Sequence, residues 1–214
     1  MKINIVLDTI CPWSFVGKRR FDRALAQIWR EDIEISWEPY QINPTIRSDG
    51  LERRQYLEEK FGDSEQAYQI QNSLVISGIE AGIKFSFEKI KVTPNTLNSH
   101  RLIHFGSKKK IVLGELIDNL FVAFFVEGED IGNIDILSKI AHNNGLDPKE
   151  ISNYFNTDED IRLILGKDQV LRCSGIQSVP CYIIDEKYMI SGAQPSEVFQ
   201  QVFDLAGQSN TKQP

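Results

Sequence analysis

The sequence predicts an α/β protein whose strands lie at the two ends of the chain and whose middle is helical. Residues 3–7 are an apolar run interrupted only by Asn4, and residues 33–38 alternate apolar and polar side chains with a period of two. In the middle of the chain only residues 84–88 have a convincing strand pattern, and strand patterns then return at residues 179–184 and 188–190. We therefore expect one sheet that is assembled from both ends of the chain around a helical insertion.

Composition argues against several classes of protein. The chain has 214 residues, 41% of them hydrophobic and 25% charged, with a formal net charge of −6. Such a charge repels nucleic acids and anionic membranes, so neither is an expected partner. No apolar run approaches the roughly 20 residues that cross a bilayer, and the N-terminal apolar segment is shorter than the roughly 7–15 residues of a secretory signal core. Three cysteines, an odd number, agree with a reducing compartment. We expect a cytoplasmic protein.

The N-terminal segment has the pattern strand, helix, strand. The helix is predicted to start beside Cys11 and to run to about Arg30. Its inward face carries apolar residues at helical spacing, namely Phe21, Ala24, Leu25 and Ile28. Two strands separated by so short a helix imply a parallel pair joined by a right-handed crossover.

The middle segment, residues 47–157, is predicted to be an all-helical domain. Its apolar periodicity is interrupted at intervals by Gly, Pro, Asp or Asn, which punctuate helices. The helix over residues 111–126 has the broadest apolar face and is expected at the centre of this domain. The predicted helices cover residues 51–61, 65–81, 95–105, 111–126, 134–143 and 149–155.

The C-terminal segment returns to mixed structure. It contains a predicted helix over residues 160–172, a strand pair forming a hairpin, and a last helix that starts at Pro195. The complete order is strand, helix, strand, insertion, helix, strand, strand, helix, which is the order of a thioredoxin-like fold with an inserted helical domain. Residues 1–46 and 158–214 are therefore predicted to form one discontinuous domain.

Cys11 stands where the first strand gives way to the first helix. A helix start presents unpaired N–H groups and a partial positive charge, which favour a thiolate over a thiol. Such positions can lower a cysteine pKa from about 8.5 to roughly 3.5–7.5. Pro12 suits the first helical turn because its missing N–H would have no partner there. Cys11 is thus a candidate nucleophile, with a buried structural cysteine as the alternative.

Pro180 opens the strand at residues 179–184, a position where proline is tolerated. In thioredoxin-like folds the peptide bond at this place is cis and lies against the catalytic sulfur. Val179 and Pro180 are therefore predicted to border the substrate groove. A trans proline at an ordinary strand entrance is the alternative.

Three stretches resemble one protein family. Residues 11–21, residues 95–96 with 100–104, and residues 175–195 are similar to the DsbA-like FrnE family of cytoplasmic thioredoxin-fold proteins, relatives of 2-hydroxychromene-2-carboxylate isomerases and kappa-class glutathione transferases. The resemblance implies that Cys11 and Ser14 form the catalytic corner. The substrate-binding residues that we predict are Pro12, Trp13, Asn95, His100, Val179 and Pro180.

Ser14 departs from the pattern of the redox-active members, which carry Cys-Pro-Trp-Cys. A hydroxyl cannot attack a mixed disulfide, although it can donate a hydrogen bond to the Cys11 thiolate. The sequence therefore favours a monothiol thiol–disulfide oxidoreductase, in which an external thiol such as glutathione releases a disulfide-containing or glutathionylated substrate. Two alternatives stay open: a glutathione-dependent transferase or isomerase acting on a small aromatic or electrophilic compound, and a non-catalytic module that binds an extended peptide.

The other cysteines and histidines receive simpler interpretations. Cys181 is either an unusual resolving thiol or a buried packing residue, and Cys173 is interpreted as a small core residue. His100 and His104 lie four residues apart, but no further ligand completes a metal set, so no metal is expected. No tightly bound cofactor is expected, with glutathione as a candidate co-substrate, and the chain is expected to be a monomer or a homodimer.

Overall fold

The computed structural model describes residues 1–28, 32–62 and 64–210, without the side chains of residues 64–68 and 209–210. The predicted helix end near Arg30 and the last four residues of the chain lie outside the described residues. The strands are β1 (Lys2–Leu7), β2 (Glu34–Pro39), β3 (Leu51–Glu52), β4 (Val92–Thr93), β5 (Cys181–Ile184) and β6 (Tyr188–Ser191). The helices are α1 (Pro12–Leu25), α2 (Arg53–Phe61), α3 (Ser64–Glu80), α4 (Leu97–Ser107), α5 (Leu113–Val122), α6 (Ile134–Asn143), α7 (Pro148–Phe155), α8 (Ile161–Cys173) and α9 (Ser196–Asn210).

A four-stranded sheet joins the two ends of the chain. Its order is β2-β1-β5-β6, with β1 and β2 parallel and the remaining pairs antiparallel. In this register Ile5 lies between Trp37 of β2 and Tyr182 of β5. Since the intervening elements form a largely helical insertion, the predicted fold class is confirmed.

Two helices from opposite ends of the chain cover one face of the sheet. The Tyr182 ring stacks on Phe21 of α1 with centroids 5.4 Å apart and meets Phe199 of α9 edge-on at 4.7 Å. All three side chains are buried, and complete burial of a large apolar side chain contributes roughly 1.5–3 kcal/mol. These contacts hold α1, and therefore its N-terminal end, at a defined place on the sheet.

The insertion contributes an aromatic part of the main hydrophobic core. It is centred on α5 and on the π-helical segment Ala123–Glu127 that follows, where Phe121 and Phe125 are fully buried. Phe15 of α1 stacks on Phe121 with centroids 5.0 Å apart. The helix that carries Cys11 is thus anchored to the insertion as well as to the sheet.

The prediction of a strand at residues 84–88 is wrong. The segment forms no strand and leads into a 3₁₀ turn. The Phe85 and Phe87 rings stack on each other at 4.8 Å, and Ser86 N–H donates to the Phe125 carbonyl at 2.9 Å. Its alternating aromatic residues therefore reflect packing against the insertion core rather than pairing in a sheet.

The start of the insertion also differs from the prediction. Leu51 pairs with Thr93 in a ribbon of two very short strands, β3 and β4, and α2 begins only after it. The Glu52 carboxylate caps α2 by accepting from the N–H groups of Arg54 and Gln55. Strands of two residues are too short to show alternation, so the ribbon left no pattern in the sequence.

Candidate active site

Cys11 is the N-cap residue of α1, and Pro12 occupies the first turn of that helix. Main-chain hydrogen bonds hold the corner between β1 and α1: Cys11 N–H donates to the Asp8 carbonyl at 3.0 Å, and Ser14 N–H to the Cys11 carbonyl at 3.0 Å. The cysteine thus lies at the helix N-terminus, where free N–H groups favour an anion.

The Val179–Pro180 peptide bond is cis and lies against this corner. The Cys11 thiol donates to the Val179 carbonyl with an Sγ–O distance of 3.4 Å. Gly17 permits the close approach, because an added Cβ would lie 2.8 Å from Pro180 Cγ and 2.6 Å from the Tyr182 hydroxyl oxygen. The fold thereby brings together two predicted site segments that are 168 residues apart in the chain.

The pKa of Cys11 is raised, which contradicts the expectation of a lowered value. Burial is the main cause, since the residue is only 6% exposed, and the nearby negative charge of Asp8 acts in the same direction. Contacts from Ser14 and from the backbone of the first helical turn lower the pKa, but by less. The hydrogen bond to the Val179 carbonyl acts in the same direction as burial, because it favours the protonated thiol.

Ser14 occupies the position of a second cysteine in a Cys-x-x-Cys motif, one turn into α1. Its side chain is 1% exposed, and its hydroxyl has no hydrogen bond of standard geometry to the described residues. It nevertheless lies close enough to Cys11 to lower the pKa of the thiol. A buried hydroxyl with a free donor beside the sulfur is suited to stabilise a thiolate.

Pro12 and Trp13 are both half-buried. Trp13 packs against the main core and also against the small apolar cluster that contains Cys11. Pro12 lines a pocket of about 70 Å³ between the Cys11 corner and the insertion. The two residues therefore lie next to Cys11 at the start of α1, and Pro12 borders the pocket.

Two cations line this pocket, and the sequence analysis did not identify them. Arg53 Nη1 donates to Thr93 Oγ1 at 3.1 Å, and Lys60 Nζ donates to the Tyr56 hydroxyl at 2.8 Å. Neither has a carboxylate partner among the described residues, and burial lowers the pKa of Arg53. The sequence signal was the spacing of Arg53, Tyr56 and Lys60, which places them on one face of a helix.

His100 lies in the interior, and Asn95 is half-buried. His100 is 2% exposed, and its Nε2 lies 3.4 Å from Oδ1 of the fully buried Asp8. Asn95 donates to the Ile46 carbonyl at 2.6 Å and accepts from Leu97 N–H at 2.9 Å. Asn95 thus links the loop at Ile46 to the start of α4. His100 instead forms a buried pair with Asp8, which the sequence analysis did not identify.

The other two cysteines occupy different surroundings. Cys181 is 2% exposed and belongs to the same small apolar cluster as Cys11 and Val179. Cys173 is exposed at the end of α8, so its interpretation as a core residue is wrong. Among the described residues, no group of three or more His, Cys, Asp or Glu side chains is placed to hold a metal.

No helix within the described part of the chain combines the length and the apolar character that crossing a bilayer requires. This finding concerns helices alone.

Comparisons with known proteins point to one family. The uncharacterized protein YwbO of Bacillus subtilis (strain 168) is 29% identical over 202 residues, which are 93% of this chain and 94% of that protein. A crystal structure of a probable DsbA oxidoreductase from Streptomyces coelicolor matches with a TM-score of 0.89 at 26% identity, covering 100% of this chain and 92% of that chain. The cytosolic disulfide reductase DsbM of Pseudomonas aeruginosa, in a structure with GSH, matches in fold with a TM-score of 0.66 at 11% identity, covering 99% and 98%.

The family model described as a DSBA-like thioredoxin domain matches residues 2–204. The match includes the sheet, the Cys11 corner and the cis proline. This protein therefore belongs to the DsbA-like thioredoxin family.

Proposed function

We propose that this protein is a monothiol thiol–disulfide oxidoreductase that acts in the cytoplasm. The Cys11 thiolate attacks the glutathione sulfur of a mixed disulfide between glutathione and a substrate. A disulfide forms between Cys11 and glutathione, while the substrate leaves as a thiolate and takes up a proton. The thiolate of a second glutathione then attacks the glutathione sulfur bound to Cys11, which yields glutathione disulfide and restores the Cys11 thiolate.

The contact between Cys11 and the Val179 carbonyl carries this proposal. It places the sulfur at a helix N-terminus and beside the backbone of the residue that precedes a cis proline. Among the described residues, Val179 N–H meets no acceptor. An extended substrate can therefore pair with both backbone groups of Val179 and bring its disulfide to Cys11.

Such pairing also activates the sulfur. When the substrate gives its own N–H to the Val179 carbonyl, the Cys11 thiol loses the acceptor that favours its protonated form. The Ser14 hydroxyl and the N–H groups of the first helical turn remain, and both favour the thiolate. Substrate binding thus shifts Cys11 from a buried thiol towards a nucleophile.

Release requires an external thiol, because Ser14 cannot attack the mixed disulfide. The pocket beside Pro12 suits an anionic thiol, since Arg53 and Lys60 line it without carboxylate partners. Glutathione carries two carboxylates and meets this requirement. A solved structure of DsbM, a protein of this fold, with GSH supports this choice of ligand.

Adduct formation with glutathione disulfide tests the proposal. The protein should be used with Cys173→Ser, because Cys173 is exposed and accessible to glutathione disulfide. We expect one glutathionyl group on Cys11 by mass spectrometry, its release by reduced glutathione, and turnover of a glutathionylated peptide. Cys11→Ser should abolish all three, and Cys181→Ala should preserve them. A protein that forms no adduct between pH 7 and 9 contradicts the proposal.

A glutathione-dependent transferase or isomerase is the second candidate. The observation in its favour is the burial of Cys11, which raises the pKa of the thiol and leaves little thiolate at neutral pH. Glutathione in the Pro12 pocket would then supply the reactive sulfur itself. Saturable binding of reduced glutathione, together with conjugation of an electrophile that survives Cys11→Ser, identifies this activity. A protein that gives neither an adduct nor glutathione binding is the non-catalytic peptide-binding module.

A further inference from the structure

The segment that follows β2, residues 40–42, is bound on one side to the chain that leads into Cys11. Its first and last N–H groups donate to residues just before that corner, namely Tyr40 to the Leu7 carbonyl at 3.0 Å and Ile42 to Asp8 Oδ2 at 2.7 Å. Tyr40 itself is only 4% exposed. The segment therefore has a defined place relative to the Cys11 corner.

Helix α8 binds the same segment from the other side. Asp168 Oδ1 accepts from Gln41 N–H at 2.8 Å, and Arg172 Nη2 donates to the Gln41 carbonyl. The two side chains are also joined to each other, since Arg172 Nε donates to Asp168 Oδ2 at 2.7 Å. Hydrogen bonds that involve ionised side chains are stronger than those between neutral groups. The main chain of Gln41 is thus held at both its N–H and its carbonyl.

Arg172 lies in the last turn of α8, shortly before the loop that leads to Val179. Its Nη1 donates to the Tyr40 hydroxyl at 3.1 Å, and its guanidinium carbon lies 4.1 Å from the centre of the Tyr40 ring. The same hydroxyl donates to the Ile176 carbonyl of the loop at 3.4 Å. Tyr40 and Ile176 are buried in the small apolar cluster that contains Cys11 and Val179. The contacts of Arg172 therefore reach both sides of the candidate site.

The backbone of Val179 lies between two elements that fix its position. Pairing of β5 with β1 fixes the chain that follows Pro180, whereas residues 174–179 form no helix or strand. The other end of this loop is attached to α8, and the contacts of Asp168 and Arg172 with residues 40–42 fix the end of that helix. The distance between the Cys11 sulfur and the Val179 backbone therefore depends on these contacts as well as on the sheet.

We propose that Arg172 is a positioning residue for extended substrates of Cys11. Together with Asp168 it holds the end of α8 and the following loop beside the Cys11 corner, so that the two backbone groups of Val179 face the sulfur before a substrate binds. Positioning of this kind speeds a reaction because the reacting groups are already aligned. It benefits substrates that pair with Val179, whereas a small disulfide without amide groups gains nothing from it.

The inference rests on the proposed function, because it concerns the same thiol–disulfide exchange at Cys11. The test compares two disulfides that react with this sulfur: a glutathionylated peptide, which has amide groups, and hydroxyethyl disulfide, which has none. Arg172→Lys, made in the Cys173→Ser protein, keeps the positive charge and loses the forked contacts with Tyr40 and Gln41. Adduct formation on Cys11, followed by mass spectrometry, gives the rate constant for each disulfide.

We expect Arg172→Lys to lower the rate constant for the peptide by about tenfold or more, since a misplacement of about 1 Å can cost roughly 10²-fold in rate. The rate constant for hydroxyethyl disulfide should equal that of the parent, which also verifies that the reactivity of the thiol is unchanged. Equal slowing of both disulfides, or slowing of neither, overturns the inference. A parent protein that reacts with neither disulfide contradicts the proposed function itself, and the inference with it.

Arg101→Lys is the matched control. The Arg101 guanidinium carbon lies 4.8 Å from the centre of the Tyr154 ring, and its Nη2 donates to the carbonyls of Tyr154 and Thr157 at 3.0 and 2.6 Å. These contacts resemble those of Arg172 but join α4 to α7 within the insertion. Arg101→Lys should leave both rate constants at the parent values, and a selective loss with the peptide in this variant also overturns the inference.

Tyr40→Phe is a second variant that keeps the ring and removes the hydroxyl between Arg172 and Ile176. We expect the same selective loss with the peptide, smaller than in Arg172→Lys. Tyr154→Phe is its control, because the Tyr154 hydroxyl also donates to a main-chain carbonyl, that of Arg101, at 3.2 Å. If circular dichroism shows that Arg172→Lys does not fold, this pair decides the question: equal rate constants for the peptide in the two tyrosine variants overturn the inference.

Discussion

Two buried cysteines face one small apolar cluster from opposite ends of the chain, and they differ in what surrounds the sulfur. Burial raises the pKa of both Cys11 and Cys181. No described group lowers the pKa of Cys181, whereas Ser14 and the start of α1 act on Cys11 in the opposite direction to burial. Burial alone favours the protonated thiol at Cys181, whereas a helix N-terminus and a nearby hydroxyl distinguish Cys11 as the candidate nucleophile.

The largest expected effect is the loss of Cys11 itself. In the Cys173→Ser protein, Cys11→Ser should reduce glutathione adduct formation to the background level, even though Cys181 remains. Cys181→Ala should keep adduct formation close to that of the parent. Peptide mapping after incubation with glutathione disulfide measures both, and an adduct on Cys181 in the Cys11→Ser variant would remove the distinction between the two cysteines.

The hydroxyl of Ser14 accounts for part of the difference. Ser14→Ala removes a group that lowers the pKa of Cys11, so we expect that pKa to rise. Below the pKa of the thiol, alkylation of Cys11 by iodoacetamide should then be slower than in the parent. Ser14→Cys should instead gain dithiol disulfide reductase activity, because it supplies a resolving thiol. If alkylation of Cys11 is as fast in Ser14→Ala as in the parent, the Ser14 hydroxyl does not lower the pKa of the thiol.

Removing one cation from the pocket beside Pro12 should impair the second half-reaction, in which reduced glutathione releases Cys11. The surroundings of the Cys11 sulfur should stay unchanged. We expect Arg53→Gln to raise the KM for reduced glutathione by about tenfold, since a hydrogen bond to a charged group contributes roughly 1.5–3 kcal/mol. Arg54→Gln is the matched control: Arg54 is exposed and pairs with Glu58 at 3.2 Å. Steady-state kinetics with a glutathionylated peptide separates the two variants. Equal KM values would place the external thiol elsewhere.

The smallest expected effect is on stability at alkaline pH. The folded pKa of Cys11 exceeds that of the unfolded chain, so folding favours the thiol. The resulting stability is complete below the unfolded value of about 8.5 and is lost as the pH rises through the folded pKa. Urea unfolding measures the free energy of unfolding at pH 7 and at pH 9.5. We expect this free energy to decrease less between the two pH values in Cys11→Ala than in the parent. Cys181→Ala should show the same trend, since burial raises its pKa as well.

The sequence by itself determined the order of the four strands of the main sheet, the helix start at Cys11 and the absence of a second cysteine at Ser14. Each of these depends on residues that are close together in the chain, where apolar spacing and helix-breaking residues act directly. The same local information mistook residues 84–88 for a strand, because aromatic alternation looks alike in a sheet and on a helical core.

Only the tertiary structure decided how the site works. The contact of Cys11 with Val179, the pair of Asp8 and His100, and the two pocket cations all join segments that lie far apart in the chain. Burial decided the direction in which the pKa of Cys11 moves, because the desolvation of a thiolate depends on everything packed around it, whereas a helix N-terminus is visible in a few adjacent residues.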